Sequence, residues 1–214
     1  MTAIVRLYLP RDRLALEAHF AALGTEDLYN RFCHSINSEG VAEYLDRLRA
    51  TGIPSYGIFD SNLALIAVSQ LARSEEDLEV GLTVLPTYRR KGLAVALLYR
   101  AASYGRARGL KALVIHCLAS NTPMLCLARK IGMSVEISDG EADGHLKLRA
   151  GTALDFWREI AYDQEGIAAA VLKSWPLAVQ TALGARPRLK EVVPDAKGAT
   201  EVGRLDSMAR ASAN

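Results

Sequence analysis

The spacing of apolar residues changes period along the chain. "AIVRLYL" (3 to 9) alternates as a strand does until Pro10, and "RDRLALEAHFAALG" then repeats Leu14, Ala18, Ala21 and Ala22 at helical spacing up to Gly24. "TEDLYNRFCH" (25 to 34), with Thr25 as N-cap, and "EGVAEYLDRLRA" (39 to 50), ending near Gly52, predict further helices. From 54 to 85 the texture turns β-rich. "PSYGIFD", "SNLALIAVSQLARS" and "EEDLEVGLTVL" are separated by Asp60-Ser61-Asn62 and by the acidic 75 to 77, the pattern of an antiparallel meander. A helix over 91 to 108 closed by Gly109, a strand over 111 to 118 and a helix over 121 to 131 closed by Gly132 come next. Short strands near 134 to 138 and 144 to 149 flank the turn "SDGEADG". This order predicts an α/β (α+β) domain over 1 to 150, with a mixed, mostly antiparallel sheet and helices on both faces. Beyond it, 151 to 185 reads as a helical extension with Leu154, Trp157, Ile160 and Ala161 on one face, broken by Gly166 and Pro176. Residues 186 to 214 lose periodicity and large apolar residues, as a flexible tail does.

Composition narrows the class without naming a chemistry. In 214 residues, half of them apolar, a net charge of +2 with no basic block argues against nucleic acid or a membrane surface as partner. No segment has the roughly 18 uninterrupted apolar residues of a membrane helix, and no signal-peptide pattern opens the chain, which points to the cytoplasm. Cys33, Cys117 and Cys126 are odd in number and lack zinc-ligand spacing, so they read as reduced, buried thiols, and no metal site is expected.

The informative stretch is "GLTVLPTYRRKGLAVALLYRA" (81 to 101). A strand over 78 to 85 places Leu78, Val80, Leu82 and Val84 on one face and Glu79, Gly81, Thr83 and Leu85 on the other. The first face is core. The second leaves open space, because a carboxylate, a glycine and a threonine stand where a covered sheet wants bulk. Pro86 ends the pairing, and the helix that follows starts with amides lacking intrahelical partners and with a positive dipole end. Gly92 and Ala94 let an anion approach that backbone, and Arg89, Arg90 and Lys91 add attraction, which suits a pyrophosphate. Neither G-x-x-x-x-G-K-[ST] nor G-x-G-x-x-G is present.

"VLPTYRRKGLAVALL" resembles the acyl-CoA signature of the GNAT N-acetyltransferases, R/Q-x-x-G-x-G/A after the fourth strand. "NTPMLCLARKIGM" (121 to 133) is similar to that family's N-x-x-A-x-x-L-Y-x-x-x-G-F segment, with Met124 for Ala and Met133 for Phe. The resemblance covers roughly 3 to 149 and looks most like the module of bacterial protein-lysine acetyltransferases. It implies a GNAT fold with acetyl-CoA as cosubstrate and an amine acceptor, either a protein lysine or a small amine, met in a ternary complex. It implies that Leu82 and Val84 contact the pantetheine arm and that Val84 N–H polarises the acetyl carbonyl. It further implies that amides of Arg89, Arg90, Lys91, Gly92, Leu93 and Ala94 hold the pyrophosphate, and that Asn121, also a good N-cap, touches the CoA arm.

An amine protonated at neutral pH must lose a proton before attack, and Glu79 is the candidate base. The family's usual acid, a Tyr seven residues after the Asn, is Ala128 here; Cys126, Ser120 and Tyr99 are the stand-ins, or the thiolate leaves unassisted. His116 and Cys117, adjacent on a strand, point to opposite faces and read as packing, and Cys33 and His34 as packing or surface residues near the acceptor site. The missing Tyr keeps a second class open, a non-catalytic acyl-CoA sensor. The helical extension with Trp157 and Trp175 either covers the domain or forms a homodimer interface.

Overall fold

A computed structural model describes residues 4–7, 12–51 and 53–152. The predicted helical extension, tail and dimer face lie outside the described residues, apart from Gly151 and Thr152. Among the described residues seven strands form one sheet in the order β1-β2-β3-β4-β5-β7-β6. They are β1 (Ile4–Leu7), β2 (Ser55–Phe59), β3 (Leu65–Ser74), β4 (Asp77–Val84), β5 (Ala112–Leu118), β6 (Ser134–Ser138) and β7 (Glu141–Lys147). The parallel pair is β4 with β5, and the other neighbours are antiparallel.

Helices α1 (Arg13–Ala21), α2 (Thr25–Phe32) and α3 (Ser38–Thr51) follow β1, whereas α4 (Leu93–Ala107) and α5 (Thr122–Lys130) flank β5 in sequence. Among the described residues two large apolar cores result, one on each face of the sheet, with a small third cluster of Cys117, Leu125 and Ala142. Leu16, Phe20, Val41 and Leu45 of α1 and α3 pack on Leu65 and Val68 of β3. Leu97, Leu98 and Ala101 of α4 pack with Leu78, Val80, Leu113 and Ile115 on the other face, joined by Ala128 of α5. Mixed order therefore did predict the layering, since the strands with fully buried faces lie between helices.

Four boundaries and faces differ from the sequence expectation for local reasons. The apolar stripe of α1 is Leu16, Phe20 and the following Leu23, while Leu14 is 77% exposed. Thr25 is the first helical residue of α2 rather than its cap, because Gly24 holds the extended N-cap conformation. Helix α4 opens at Leu93, not at 91, since Arg90 (φ 62°) and Gly92 (φ 79°) are left-handed and a right-handed helix cannot run through them. Strand β7 begins at Glu141, ahead of the expected 144, because the turn is Asp139-Gly140 alone. Both residues have positive φ, the requirement of a two-residue hairpin turn matched to strand twist.

Candidate functional site

Strands β4 and β5 pair only at Leu78 with Leu113 and Glu79 with Val114, then separate. The amide of Leu85 donates to Ile66 O at 2.9 Å, which makes the Val84–Ala67 pair a non-hydrogen-bonded one toward β3. By alternation, Val84 and Leu82, beyond the Glu79–Val114 pair, turn their N–H and C=O groups away from β3, into the gap facing β5. The gap is thus edged by main-chain polar groups that the sheet does not use. Val84 O accepts from Arg89 Nε at 3.1 Å, leaving Val84 N–H available. This is a stretch that can take an amide-bearing chain as an added strand would be taken.

At the C-terminal end of β4 a 3₁₀ turn, Pro86–Tyr88, leads into α4. Tyr88 Oη donates to Asp60 Oδ2 at 2.7 Å, pinning the turn to the β2–β3 loop; this bond draws the carboxyl pKa down and pushes the phenol up. The first helical bond of α4 is Ala96 N–H to Gly92 O at 3.0 Å. The amides of Gly92, Leu93, Ala94 and Val95 therefore stand free at the positive end of a 15-residue helix with no side-chain cap. A Cβ on Gly92 would meet nothing within 4 Å, so what requires glycine there is the left-handed φ. The cations are partly engaged elsewhere. Arg89 pairs with Asp27 of α2 at 2.6 Å, and Lys91 Nζ donates to Thr87 O at 3.2 Å while lying over the Tyr88 ring.

The opposite face of β4 meets α2. Glu79, half-buried, lines a cavity of about 190 Å³ together with Leu82, Asn121, Met124, His116 and residues 30–33. Thr83 does not open on this space: it is buried and donates to His19 Nε2 at 2.8 Å, while His19 Nδ1–H donates to Leu65 O at 2.8 Å. Burial holds that imidazole neutral and its pKa below the ordinary 6.5. Nor is the space above Gly81 empty. A Cβ on Gly81 would overlap the guanidinium of Arg31, the last-turn cation of α2. Arg31 Nη2 donates to Tyr44 Oη at 2.6 Å and to Gln70 Oε1 at 3.1 Å, and the guanidinium lies 5.0 Å from the Phe32 ring centroid. Burial pushes the Tyr44 phenol pKa up, so Arg31 rests on neutral partners.

His116 is not a packing residue. It is exposed beside the cavity, with Nδ1 donating to Asp143 Oδ1 of β7 at 2.5 Å, whereas Cys117 is buried on the α5 side. The alternation of the two was predicted; their shared burial was not found. Cys126 is exposed, contrary to the reading of all three thiols as buried. Cys33, left-handed at φ 58°, lines the cavity, and His34 belongs to a separate surface depression with Ser35 and Arg47. Asn121 caps α5, accepting from Met124 N–H at 3.2 Å, and lines the cavity as well. Ala128 is fully buried in the α4-side core, so even a longer side chain at that position would start from the core and not from the cleft. Cys126, Ser120 and Tyr99 do not line the cavity.

The structure thus brings Glu79, Leu82 and Asn121 to one cleft, sets Val84 at its edge and places Arg89 to Ala94 at the open end of the strand gap. Sequence reading missed Arg31, Gln70 and the His116–Asp143 pair. A signal existed for Arg31: glycine inside a strand marks a close approach, and Gly81 was read as vacancy instead. Among the described residues, no cluster of His, Cys, Asp and Glu could hold a metal ion, and no helix is long and apolar enough to cross a membrane.

The sequence model of the Acetyltransferase (GNAT) family matches residues 26–133, just over half of the chain. Among solved structures, an N-acetyltransferase from Staphylococcus aureus Mu50 shares 18% identity at a TM-score of 0.56, covering 70% of this chain and 99% of its own. The GNAT domain of S. lividans PAT shares 18% at a TM-score of 0.58, covering 69% and 90%. YncA of Salmonella typhimurium, solved with its cofactor acetyl-CoA, shares 19% at 0.55, covering 72% and 97%. At such identities these structures establish a shared fold.

Proposed function

Since the chain belongs to the GNAT acetyltransferases, enzymes that use acetyl-CoA as cosubstrate, we propose that it acetylates a primary amine in a ternary complex with Glu79 as the base. The observation that carries this reading is the strand gap, which offers unpaired main-chain groups at Leu82 and Val84, with the free carboxylate of Glu79 on the adjoining face. Acetyl-CoA fits the donor set: the gap suits its amide-bearing arm, and the free amides of Gly92, Leu93 and Ala94, with those of Arg90 and Lys91 before them, suit its pyrophosphate, whereas the Arg89 amide, expected to join them, donates to Pro86 O at 3.3 Å instead. Asn121 has an amide NH₂ left for the same arm once its Oδ1 caps α5.

Acetyl-CoA supplies the acetyl group as a thioester, already activated for attack. The chain's own residues do the rest. Glu79 accepts the proton that an ammonium must shed, directly or through water, and so creates the nucleophilic lone pair. Val84 N–H donates to the carbonyl oxygen, on which negative charge grows as the C–N bond forms and the C–S bond breaks. No side chain of the cleft stands where the family's Tyr would, and a thiol pKa near 8.5 allows the thiolate to depart without a protein acid. His116, oriented by Asp143, lines the cleft on the β5 side.

The test is CoA release over a panel of small amines and lysine peptides. Wild type is expected to turn over at least one acceptor, and Glu79→Gln to lower kcat by about 100-fold or more. Unchanged kcat at saturating substrates would remove Glu79 from the role.

A further inference from the structure

We propose that the acceptor is a small amine that also carries a carboxylate, an amino-acid-like molecule, and that Arg31, held in place by Tyr44 and Gln70, is the group that recognises it. This rests on the proposed reading of the cleft as the acceptor site and narrows it to a substrate class.

Arg31 reaches across from α2 to lie on β4 above Gly81, in the same cavity as Glu79. Both of its hydrogen bonds leave from Nη2 and end on neutral oxygens, Tyr44 Oη and Gln70 Oε1. Its Nε is buried with no acceptor, and so is Nε2 of Gln70, a residue 2% exposed on the strand next to Gly81. Among the described residues, no carboxylate pairs with Arg31. A half-buried cation and two orphaned N–H donors at one spot constitute an unmet demand for lone pairs and negative charge. Packing alone would not ask for this, because a methionine or leucine could bridge Phe32 and Tyr44 without the desolvation cost. A carboxylate supplies both the charge and the acceptors, in the pairing that guanidinium favours.

The arrangement also fixes where the amine must be. Glu79 and Gly81 are two residues apart on one face of β4, about 7 Å along the strand. A molecule whose amine and carboxylate are a few bonds apart can therefore put the carboxylate on Arg31 above Gly81 and its amine toward Glu79 and the gap. Cation and anion of the site then match anion and cation of a zwitterion. The cavity, about 190 Å³, is of a size to admit the reacting end of such a molecule.

The experiment compares amino acids with their carboxamides and their decarboxylated amines, measured by CoA release and, separately, by calorimetric binding of each acceptor to the full chain with CoA present. Wild type is expected to favour the carboxylate over the carboxamide by about 10- to 100-fold in kcat/KM. Arg31→Gln should shrink that preference to within about threefold through KM, with the acetyl-CoA Kd unchanged. Arg31→Lys, which keeps the charge, should restore part of it, distinguishing recognition from loss of fold. Equal use of carboxamide and carboxylate, or a preference surviving in Arg31→Gln, overturns the inference while leaving the transferase reading intact. Binding of carboxylates that depends on Arg31 and persists in Glu79→Gln supports it even where no amine is turned over. Absence of both binding and preference across the panel overturns it.

Discussion

The two ends of the cleft are built from different materials. At the loop before α4, the groups that face outward are amides. Two of the three cations there, Arg89 and Lys91, are drawn into contacts with Asp27, Thr87 and Tyr88, and the one glycine that matters is required by its φ. At the acceptor face the working groups are side chains, Arg31, Glu79 and His116, delivered by three separate elements, and the glycine that matters is required by another residue's side chain. A site made of backbone is contiguous in sequence and so leaves a motif; a site made of side chains is assembled across the fold and leaves none.

Substitutions that act on one end alone sharpen this contrast. The largest effect is expected at Glu79: Glu79→Gln lowers kcat by about 100-fold or more while the Kd for acetyl-CoA, measured by titration, stays within about twofold. A parallel loss of CoA affinity would merge the two ends. At the other end, Gly92→Val forces a β-branched residue into a left-handed conformation at a cost of about 1–2 kcal/mol, near tenfold in acetyl-CoA Kd. Arg90→Ala, which removes an exposed charge, is expected to cost less than about fivefold. The reverse ranking in a titration would make the cations, and not the amides, the binding groups. Gly81→Ala comes next. Its methyl displaces the Arg31 guanidinium, and the acceptor KM should rise several-fold with kcat and CoA affinity nearly unchanged.

The smallest effect concerns the pin between α1 and β4. His19 has a folded pKa below 6.5, so the neutral ring stabilises the fold above that pH, and the contribution is lost as pH falls from about 6.5 through the lower, folded value. Melts between pH 7.5 and 5 should show Tm falling with acid, and His19→Asn should flatten that dependence by up to one proton's worth, about 1.4 kcal/mol per pH unit. An unaltered slope would assign the acid sensitivity elsewhere.

Most of the fold was legible because its elements announce themselves locally: alternation over 54 to 85, helical spacing after 91, glycines at helix ends. The errors came from conformations that one residue imposes on its neighbours. Arg90 and Gly92 delay α4, and Asp139-Gly140 closes a hairpin more tightly than the polar run "SDGEADG" suggests. In the site, the alternation of β4 led to Glu79 and to the separate face of Leu82 and Val84, since period two is a property of the strand itself. Arg31 was invisible for the opposite reason. It lies 50 positions away in a charged, surface-like helix, and nothing in "TEDLYNRFCH" distinguishes it from a solvated cation.

Gly81 and Arg31 have one more consequence. Because the guanidinium occupies the volume a Cβ would need, the two positions form a lock and its keyhole, and neither can be exchanged without leaving a void or a collision. Acceptor preference in this scaffold should thus be retuned by paired changes at 31 and 81, a short uncharged residue at the first admitting an alanine or valine at the second, while the loop that grips the cosubstrate is left untouched.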